Sequence, residues 1–446
     1  MSPRGSTESA GLNLYDTGPA VPADRVGSRR RLDVVHFVQR YPPALGGSEA
    51  YFQRLSRYLA DRGHGVSVWT TTAIDLEAFW SRRGRTLAAD TSDDAGVRVR
   101  RFAPLRFPLR RYALKALSLL PGNTWRAMTM PCNPLALDMW REAGCYVGPC
   151  DVVHATAFPY AWPIVCARRL ARRRGVPFVL TPFLHLGAPD DERDRTRRRY
   201  LSAHLRELLH SADRVFVQTP TERDAVLELG VPPEDVVLQG MGVNPAECTG
   251  GDRLRARRSW GMGADELVIG HLANLSHEKG SIDLLEAARR LWEEGLKFRI
   301  VLAGPQMTNY RRYRATHEFQ NLTETGVLND QQKRDFFAGI DVFALPSRSD
   351  SFGLVLLEAW ANGVPSVAYR AGGVADVIRH ERDGLLAKCG DIAELAAYLR
   401  RLLDDSKTRS ELGAAGRARI AREFRWADKL ALVERTYAEL VQPTVG

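Results

Sequence analysis

Short apolar runs alternate with amphipathic stretches along most of the chain, in two successive series. Short apolar runs are typical of strands buried in a parallel sheet, and apolar positions three or four residues apart are typical of helices. In the first series we predict strands at residues 32–38, 66–71, 97–102, 151–154, 177–181, 213–219 and 235–239. In the second we predict strands at residues 266–273, 298–304, 341–345 and 364–369. Helices are predicted at residues 48–62, 221–229, 281–294 and 424–440. This alternation, twice over, predicts an α/β protein with two parallel sheets.

The length of the chain favours two domains, because 446 residues are more than a single hydrophobic core usually supports. Hydrophobic residues make up 44% of the sequence, as in a globular protein. No apolar run approaches the roughly 18 residues that are needed to cross a bilayer. We expect residues 1–30 to form a disordered tail, because they are rich in Gly, Ser, Pro and charge and lack the apolar segment of a signal peptide.

The charge of the chain indicates an acidic partner. The net charge of +10 fits a nucleic acid, an anionic lipid or a phosphorylated substrate. Nucleic acid is the least favoured of these, because the sequence has no zinc-finger spacing and no basic helix free of core residues. The six cysteines form neither a CxxC pair nor a ligand-like cluster with His, which predicts a reduced, cytoplasmic chain without a structural metal.

Residues 104–130 mix Arg and Lys with Leu, Phe, Tyr and Trp. A basic, apolar helix of this kind can lie in an anionic membrane surface. A helix that packs on its domain with a solvated Arg face is the simpler interpretation. The sequence leaves both open.

The stretch at residues 340–363 carries the clearest candidate chemistry. An apolar run predicts a buried strand, a polar loop at residues 346–351 follows it, and a second apolar run predicts a helix that begins near Gly353. The first N–H groups of a helix lack partners within it and favour an anion. Asp350 and Glu358 bracket this anion site, with seven residues between them. The arrangement suits a ligand with sugars on both sides of a phosphate, although an ordinary strand–loop–helix unit would have the same pattern.

Further candidates lie where predicted strands end, which is where ligands bind in open α/β sheets. Gly46 and Gly47 precede the first helix, where backbone amides can reach a phosphate or a sugar, although a glycine pair is also common turn chemistry. They do not form the G-x-G-x-x-G of a dinucleotide site. His154 ends one later predicted strand of the same series, and His185 lies just after another.

The stretch from Asp350 to Glu358 resembles the acid-x7-acid signature of the GT4 family of retaining glycosyltransferases. Members usually carry Glu at both ends, and here the first acid is Asp350. The resemblance implies that Asp350 contacts the donor sugar and that Glu358 holds the nucleotide ribose. It also implies that the backbone amides between them hold the diphosphate, at Ser351, Phe352, Gly353, Leu354 and Val355.

Other positions match the family in part. Lys279-Gly280 matches its Lys-Gly pair, which implies a cation for the diphosphate, whereas Asn274 stands where the family has an Arg. Gly46-Gly47 resembles the glycine loop of the amino-terminal domain. The family has an acceptor-side His after the fifth strand, commonly two residues after a Thr. Phe183 holds that position here and His185 comes two residues later, so the resemblance favours His185 over His154.

The resemblance also implies an architecture, the GT-B fold, in which two Rossmann-like domains with parallel sheets face each other across a cleft. Residues 31–245 would form the acceptor-side domain and residues 246–423 the domain that binds the nucleotide sugar. Residues 424–446 would form a helix that crosses back to the first domain.

The implied activity is that of a retaining hexosyltransferase (EC 2.4 type) that moves a sugar from a nucleoside-diphosphate sugar to an acceptor hydroxyl. The products would be glycolipids, polysaccharides or natural-product glycosides. No Asp-x-Asp metal signature occurs in the sequence, so we expect a metal-independent reaction that needs no cofactor besides the donor. We further expect a cytoplasmic protein, associated peripherally with the inner face of the membrane if the basic segment binds lipid.

Two alternatives to a glycosyltransferase remain: a protein that binds its ligand without catalysis, and an enzyme that catalyses a different reaction. Asp350, Asn274 and Phe183 all depart from the family pattern, which fits a sugar-nucleotide-binding homologue without transferase activity. A GT-B epimerase or phosphorylase would share the fold and carry out another reaction.

Overall fold

The structure is a computed structural model that describes residues 30–188 and 194–442. The tail predicted at residues 1–30 therefore lies outside the described residues, except for Arg30. The described chain forms two sheets, one from each series of strands, and we call the parts of the chain around them the first and second domains.

The first domain contains eight strands: β1 Asp33–Phe37, β2 Gly65–Thr71, β3 Thr91–Asp94, β4 Val97–Phe102, β5 Val152–Ala155, β6 Phe178–Leu180, β7 Arg214–Val217 and β8 Val236–Leu238. They form one sheet in the order β3-β4-β2-β1-β5-β6-β7-β8. All neighbours are parallel except β3 and β4, which are antiparallel.

The second domain contains six strands: β9 Val268–Leu272, β10 Arg299–Ala303, β11 Leu322–Gly326, β12 Val342–Leu345, β13 Ser366–Arg370 and β14 Leu385–Lys388. Their order is β11-β10-β9-β12-β13-β14, and all neighbouring pairs are parallel. The predicted α/β fold with two parallel sheets is thus confirmed.

Helices connect the strands of both sheets. They are α1 Gly47–Asp61, α2 Arg110–Leu117, α3 Asn123–Thr129, α4 Leu137–Ala143, α5 Ala161–Arg174, α6 Arg195–Tyr200, α7 Ala203–Leu209, α8 Pro220–Glu228, α9 Pro245–Cys248, α10 Arg253–Ser259, α11 Ser281–Glu293, α12 Thr308–Arg314, α13 Asp330–Gly339, α14 Leu354–Ala361, α15 Val374–Val377, α16 Ile392–Asp404, α17 Ser406–Glu423 and α18 Trp426–Val441. Short 3₁₀ helices occur at Leu76–Phe79 and Pro233–Asp235. Within the described part of the chain, none of the helices is both long enough and apolar enough to cross a membrane.

The strands at the centre of each sheet are buried on both faces, which explains their continuous apolar runs. All four residues of β5 are buried, and so are all four residues of β12. A parallel strand that helices cover on both sides has no solvent face, so its sequence does not alternate between apolar and polar residues.

The last helix, α18, leaves the second domain and packs on the first. The Tyr437 hydroxyl lies 3.3 Å from His36 Nε2 and 2.5 Å from His154 Nδ1. Glu434 accepts a hydrogen bond from Arg62 Nε at 2.9 Å. Buried polar contacts therefore join the end of the described chain to the sheet of the first domain.

The segment at residues 104–130 differs from the single helix that its composition predicts. It contains two short helices, α2 and α3, which residues 118–122 separate. Pro121 and Gly122 end the helical run, because proline disfavours helical geometry in the residue before it and Gly122 adopts a φ of 108°. The prediction of one continuous helix is wrong for this reason.

Candidate active site

The loop between β12 and α14 forms one wall of a cleft between the two domains. α14 begins at Leu354, after Gly353 at a φ of 83°. A Cβ on Gly353 would lie 3.0 Å from Leu356 Cδ1 and 3.1 Å from Val374 Cγ2, so the backbone packs closely here. The N–H groups of Leu354 and Val355 have no hydrogen-bond partner among the described residues, as expected for the first turn of a helix.

Asp350 stands in this loop, fixed by the backbone. The Gly373 N–H donates a hydrogen bond to the carbonyl oxygen of Asp350 at 2.9 Å. A Cβ on Gly372 would lie 2.3 Å from that same oxygen, so glycine permits the close approach.

Lys279 reaches Asp350 from the loop after β9, and its Nζ lies 2.6 Å from Asp350 Oδ2. Gly280 brings the two loops together, because a Cβ there would lie 1.8 Å from the Pro346 carbonyl oxygen. Burial alone would raise the pKa of Asp350, but the charge of Lys279 and its hydrogen bond to the carboxylate lower it overall. Asp350 is therefore ionised at neutral pH.

Glu358 lies on α14, one turn beyond its start, and faces an adjoining cavity of about 790 Å³. Its Oε1 lies 2.5 Å from Lys333 Nζ of α13. Its Oε2 is buried and has no hydrogen-bond partner among the described residues. An unpaired buried carboxylate oxygen is a strong acceptor that is available to a ligand hydroxyl.

The cleft itself has a volume of about 600 Å³ and lies at the carboxyl ends of strands from both sheets. It brings together most residues that the sequence singled out: Gly46, Gly47, His185, Asn274, Lys279, Asp350, Ser351, Phe352, Gly353, Leu354 and Val355. The adjoining cavity shares Asp330, Lys333 and Leu354 with it, so Glu358 lies next to the cleft and not in its lining.

His185 lies on the first-domain side of the cleft, and its ring centroid is 5.1 Å from that of Tyr200. The pKa of His185 is lowered to about 4, mainly by burial and also by the positive charge of Lys279. The imidazole is therefore neutral at pH 7 and can donate one hydrogen bond and accept another.

His154 does not reach the cleft. The prediction that it is a site residue is therefore wrong. It is fully buried, and Nε2 lies 2.8 Å from Thr181 Oγ1 while Nδ1 contacts the Tyr437 hydroxyl. Burial lowers the pKa of His154 well below its ordinary value. The side chain belongs to the contact between β5 and α18, because neighbouring residues of a strand point to opposite faces of the sheet.

The first-domain wall also carries an ion pair that the sequence pattern did not reveal. Arg40 Nη2 lies 2.7 Å from Glu49 Oε1, and Gln39 Nε2 donates to the same oxygen at 3.2 Å. Glu49 is buried, in the first turn of α1 beside the glycine pair. Gln39 and Arg40 follow closely after β1, so the rule that ligands meet strand ends could have found them.

Two family models match the chain, and together they cover both domains. Residues 46–242 match the model described as a glycosyl transferase 4-like domain. Residues 252–419 match the model described as glycosyl transferases group 1.

Individual relatives agree with these models. A D-inositol 3-phosphate glycosyltransferase of Thermobispora bispora is 28% identical over 418 residues, which cover 89% of this chain and 90% of that protein. A 2-deoxystreptamine N-acetyl-D-glucosaminyltransferase of Streptomyces fradiae is 29% identical over 391 residues, which cover 83% and 86% of the two chains.

The fold has a counterpart among solved structures. Anabaena HepE, solved in complex with UDP and glucose, superposes with a TM-score of 0.65 at 17% identity, over 91% of this chain and 99% of that one. The models, the relatives and the shared two-domain fold agree, and the chain belongs to the group 1 family of glycosyltransferases, the GT4-like enzymes of GT-B fold.

Proposed function

We propose that this glycosyltransferase moves a sugar from a nucleoside-diphosphate sugar to an acceptor hydroxyl, with retention of anomeric configuration and without a metal ion. One observation carries the proposal. The second-domain wall of the cleft sets the Asp350 carboxylate, the Lys279 ammonium and the unpaired N–H groups at the start of α14 around one space.

The donor fits this wall in the order that the family resemblance implies. The diphosphate lies against the amides of Gly353, Leu354 and Val355 and beside Lys279, since a helix N-terminus and an ammonium both favour anions. The ribose hydroxyls donate to the unpaired Oε2 of Glu358. The complex of HepE with UDP and glucose supports a nucleoside-diphosphate ligand on a shared fold.

Bond cleavage leaves negative charge on the departing diphosphate, and fixed positive groups lower the barrier by stabilising that charge. Lys279 and the start of α14 supply this stabilisation, which a metal ion supplies in other transferases. The family has a cation at the position of Asn274, so this chain lacks that charge. Lys333 is a further cation that lines the cleft. Lys333 pairs with Glu358. We propose that it positions Glu358 for the nucleotide half of the donor.

The acceptor approaches from the first domain, past the glycine pair and the Glu49–Arg40 ion pair. Retention without a covalent intermediate requires the acceptor hydroxyl to attack from the face that the diphosphate leaves. His185 is neutral at pH 7, so it orients hydroxyl groups of the donor sugar or the acceptor by hydrogen bonding without adding charge.

A transfer assay tests the proposal. The chain is incubated with UDP-glucose or UDP-N-acetylglucosamine, with EDTA present, and with D-inositol 3-phosphate or 2-deoxystreptamine as first acceptors, because the relatives are named for them. Mass spectrometry detects the product and NMR of its anomeric proton assigns the linkage. We expect the donor's anomeric configuration and full activity in EDTA.

Several results would contradict the proposal. An inverted product would exclude retention, and activity that returns only with Mg²⁺ would exclude metal independence. Sugar-nucleotide binding without transfer or hydrolysis, tried across several acceptors, would indicate a binding homologue. Free sugar phosphate or an epimerised sugar nucleotide, formed without any acceptor, would indicate a phosphorylase or an epimerase.

A further inference from the structure

A basic, apolar surface on the first domain lies outside the cleft. From residue 95 to residue 137 the sequence has eight Lys and Arg residues and no Asp or Glu. Between residues 105 and 125, eight large hydrophobic side chains are exposed: Leu105, Phe107, Leu109, Tyr112, Leu117, Leu119, Leu120 and Trp125. We call these residues, together with Arg82, Arg83, Arg106, Arg111 and Lys115, the α2 patch.

The most exposed apolar side chains of the α2 patch gain little from packing within the fold. Leu109 and Tyr112 are each 74% exposed and Leu119 is 70% exposed, while α2 buries only Arg110 and Leu114 against the domain. Single exposed hydrophobic residues are common on proteins, but a cluster of this size marks a surface that meets another apolar phase.

The backbone conformation of Leu109 also indicates a partner outside the chain. It adopts a left-handed conformation with a φ of 58°, which a leucine disfavours and a glycine or asparagine tolerates. An exposed leucine in such a position has neither burial nor relaxed backbone to favour it within the isolated chain. The side chain projects outward at the start of α2, where an apolar partner outside the protein would explain it.

The basic residues point to the charge of that partner. Arg82, Arg83, Arg106, Arg111 and Lys115 form no ion pair with any carboxylate of the described residues. Arg111 instead stacks over Trp80, with its guanidinium carbon 4.9 Å from the ring centroid. A second copy of this chain seated symmetrically on the patch would bring like charges together, whereas an anionic lipid surface would neutralise them.

The patch is connected to the first-domain side of the cleft through aromatic side chains. Trp80 lines a surface cavity together with Leu109 and Tyr112. Phe79 packs against Trp80 at 6.3 Å and against Tyr160 at 5.3 Å between ring centroids, and Tyr160 lines the cleft. A planar surface held by the patch therefore lies beside the wall that we assign to the acceptor.

We propose that the α2 patch docks the first domain on an anionic phospholipid bilayer, with Leu109, Tyr112 and Leu119 in the interfacial region and Arg111 and Lys115 at the headgroups. Amphipathic segments bind membranes by this combination of buried apolar area and attraction to anionic lipid. The docking goes beyond the transfer reaction and stands independently of it.

Co-sedimentation of the full chain with vesicles tests the docking. We expect binding to phosphatidylglycerol vesicles at low salt and much weaker binding to phosphatidylcholine vesicles. Leu109→Asn/Leu119→Asn lowers the partition coefficient at least about tenfold, since it removes two apolar insertions. Arg111→Gln/Lys115→Gln lowers it roughly 25-fold, at roughly fivefold for each charge near an anionic surface.

The matched control is Val147→Asn/Leu254→Asn, because these residues are also exposed, at 83% and 57%, and lie outside the patch. We expect it to bind like the wild type, and circular dichroism verifies that each variant is folded. Asparagine tolerates the left-handed conformation of Leu109, so the first variant keeps its backbone unstrained.

Three results would overturn the proposal. The first is a wild type that stays in the supernatant with anionic vesicles at low salt. The second is equal binding of the wild type and both patch variants. The third is a wild-type dimer in sedimentation velocity that Leu109→Asn/Leu119→Asn converts to a monomer without any vesicle binding, which would assign the patch to a subunit interface.

Discussion

Lys279 and Asp350 approach each other from loops that are 71 residues apart in the sequence, and their ion pair lines the cleft. Each side chain follows a strand of the second sheet, so the parallel topology brings them together. The proposed donor meets both groups, with its diphosphate on the cation and its sugar on the carboxylate.

Replacing Lys279 tests its role at the diphosphate. Lys279→Ala removes a positive charge from the departing group, and we expect a loss in kcat of about 10²- to 10³-fold, as for other groups that stabilise transition-state charge. Lys279→Arg keeps the charge and recovers part of the rate. Lys407→Ala is the control, since that side chain is 83% exposed. Unchanged kinetics in Lys279→Ala would exclude the assignment.

Substitutions of His154 and His185 should have different effects, one on stability and the other on activity. His154→Ala removes one buried hydrogen-bond partner from Tyr437 and one from Thr181 and creates a cavity, so we expect a loss of about 2–4 kcal/mol in the free energy of unfolding, with kcat retained. His185→Ala lowers kcat and changes the melting temperature little. Denaturant unfolding and initial rates on both variants check this, and the reverse pattern would contradict our placement of the two side chains.

Some residues of the site could be predicted from the sequence, and others could not. Lys279, Asp350 and His185 lie in the loops that follow strands, so the strand-end rule places them correctly at the cleft. The same rule fails for His154, because Ala155 ends β5 and His154 points to the face that α18 covers. The Lys333–Glu358 pair joins two helices, and their relative orientation is not written in either local pattern.

At the scale of elements, α14 depends on the glycine before it. Gly353 adopts a left-handed conformation, and Leu356 and Val374 lie so near that a Cβ at this position would press on them. The helix is only eight residues long, so its position comes from packing and not from its own propensity.

Gly353→Ala tests this dependence against Gly363→Ala. Both glycines have left-handed φ values, 83° and 72°, so both variants lose roughly 1–2 kcal/mol of stability to backbone strain. A Cβ on Gly363 would meet nothing within 4 Å, whereas a Cβ on Gly353 would press on its neighbours. We therefore expect only Gly353→Ala to weaken nucleotide binding in calorimetry. Equal binding by the two variants would show that the start of α14 does not hold the ligand.

Edge strands and the basic segment show where local patterns are insufficient. β3 and β11 lie at sheet edges and carry polar residues, so no apolar run reveals them. Pro121 and Gly122 mark the break between α2 and α3, but the composition of residues 104–130 alone favours one helix. Exposure of the α2 patch depends on how few of its residues the domain covers, which only the three-dimensional structure reveals.

At the scale of the whole molecule, α18 joins the two domains by buried polar contacts with β1 and β5. The two-sheet fold followed from alternation along the sequence, because that pattern is local and repeats many times. The domain limits at residues 31–245 and 246–423, the cytoplasmic location and the lack of a cofactor stay predictions.

Five histidines with lowered pKa values predict how stability changes with pH. Burial is the largest cause that lowers their pKa values, to about 3 for one, about 4 for three and well below the ordinary value for the last: His36, His185, His204, His271 and His154. Below about pH 6.5 the unfolded chain binds these protons and the folded chain does not, so each histidine destabilises the folded state as the pH falls through this range.

Chemical denaturation at pH 7.5, 6.5 and 5.5 measures this effect. We expect the unfolding free energy to fall from pH 7.5 to 5.5, by up to about 1.4 kcal/mol per pH unit for each histidine. Burial raises the pKa of Glu222 to about 7. Between its unfolded and folded pKa values, the folded carboxyl holds a proton that the unfolded carboxyl has released. Glu222 therefore opposes the loss of stability that the histidines cause in this range. A stability that is constant or higher at pH 5.5 would contradict the burial of these groups.

Binding of sugar nucleotides is the most direct measurement, because every step that we propose begins with a donor in the cleft. Melting temperatures are measured with UDP-, GDP-, ADP- and TDP-sugars, for the wild type, Glu358→Ala and the exposed control Glu293→Ala. We predict that one nucleotide class stabilises the wild type and the control by mass action and stabilises Glu358→Ala much less. No stabilisation by any of them, or equal stabilisation of all three proteins, would contradict a donor site at Asp350–Glu358.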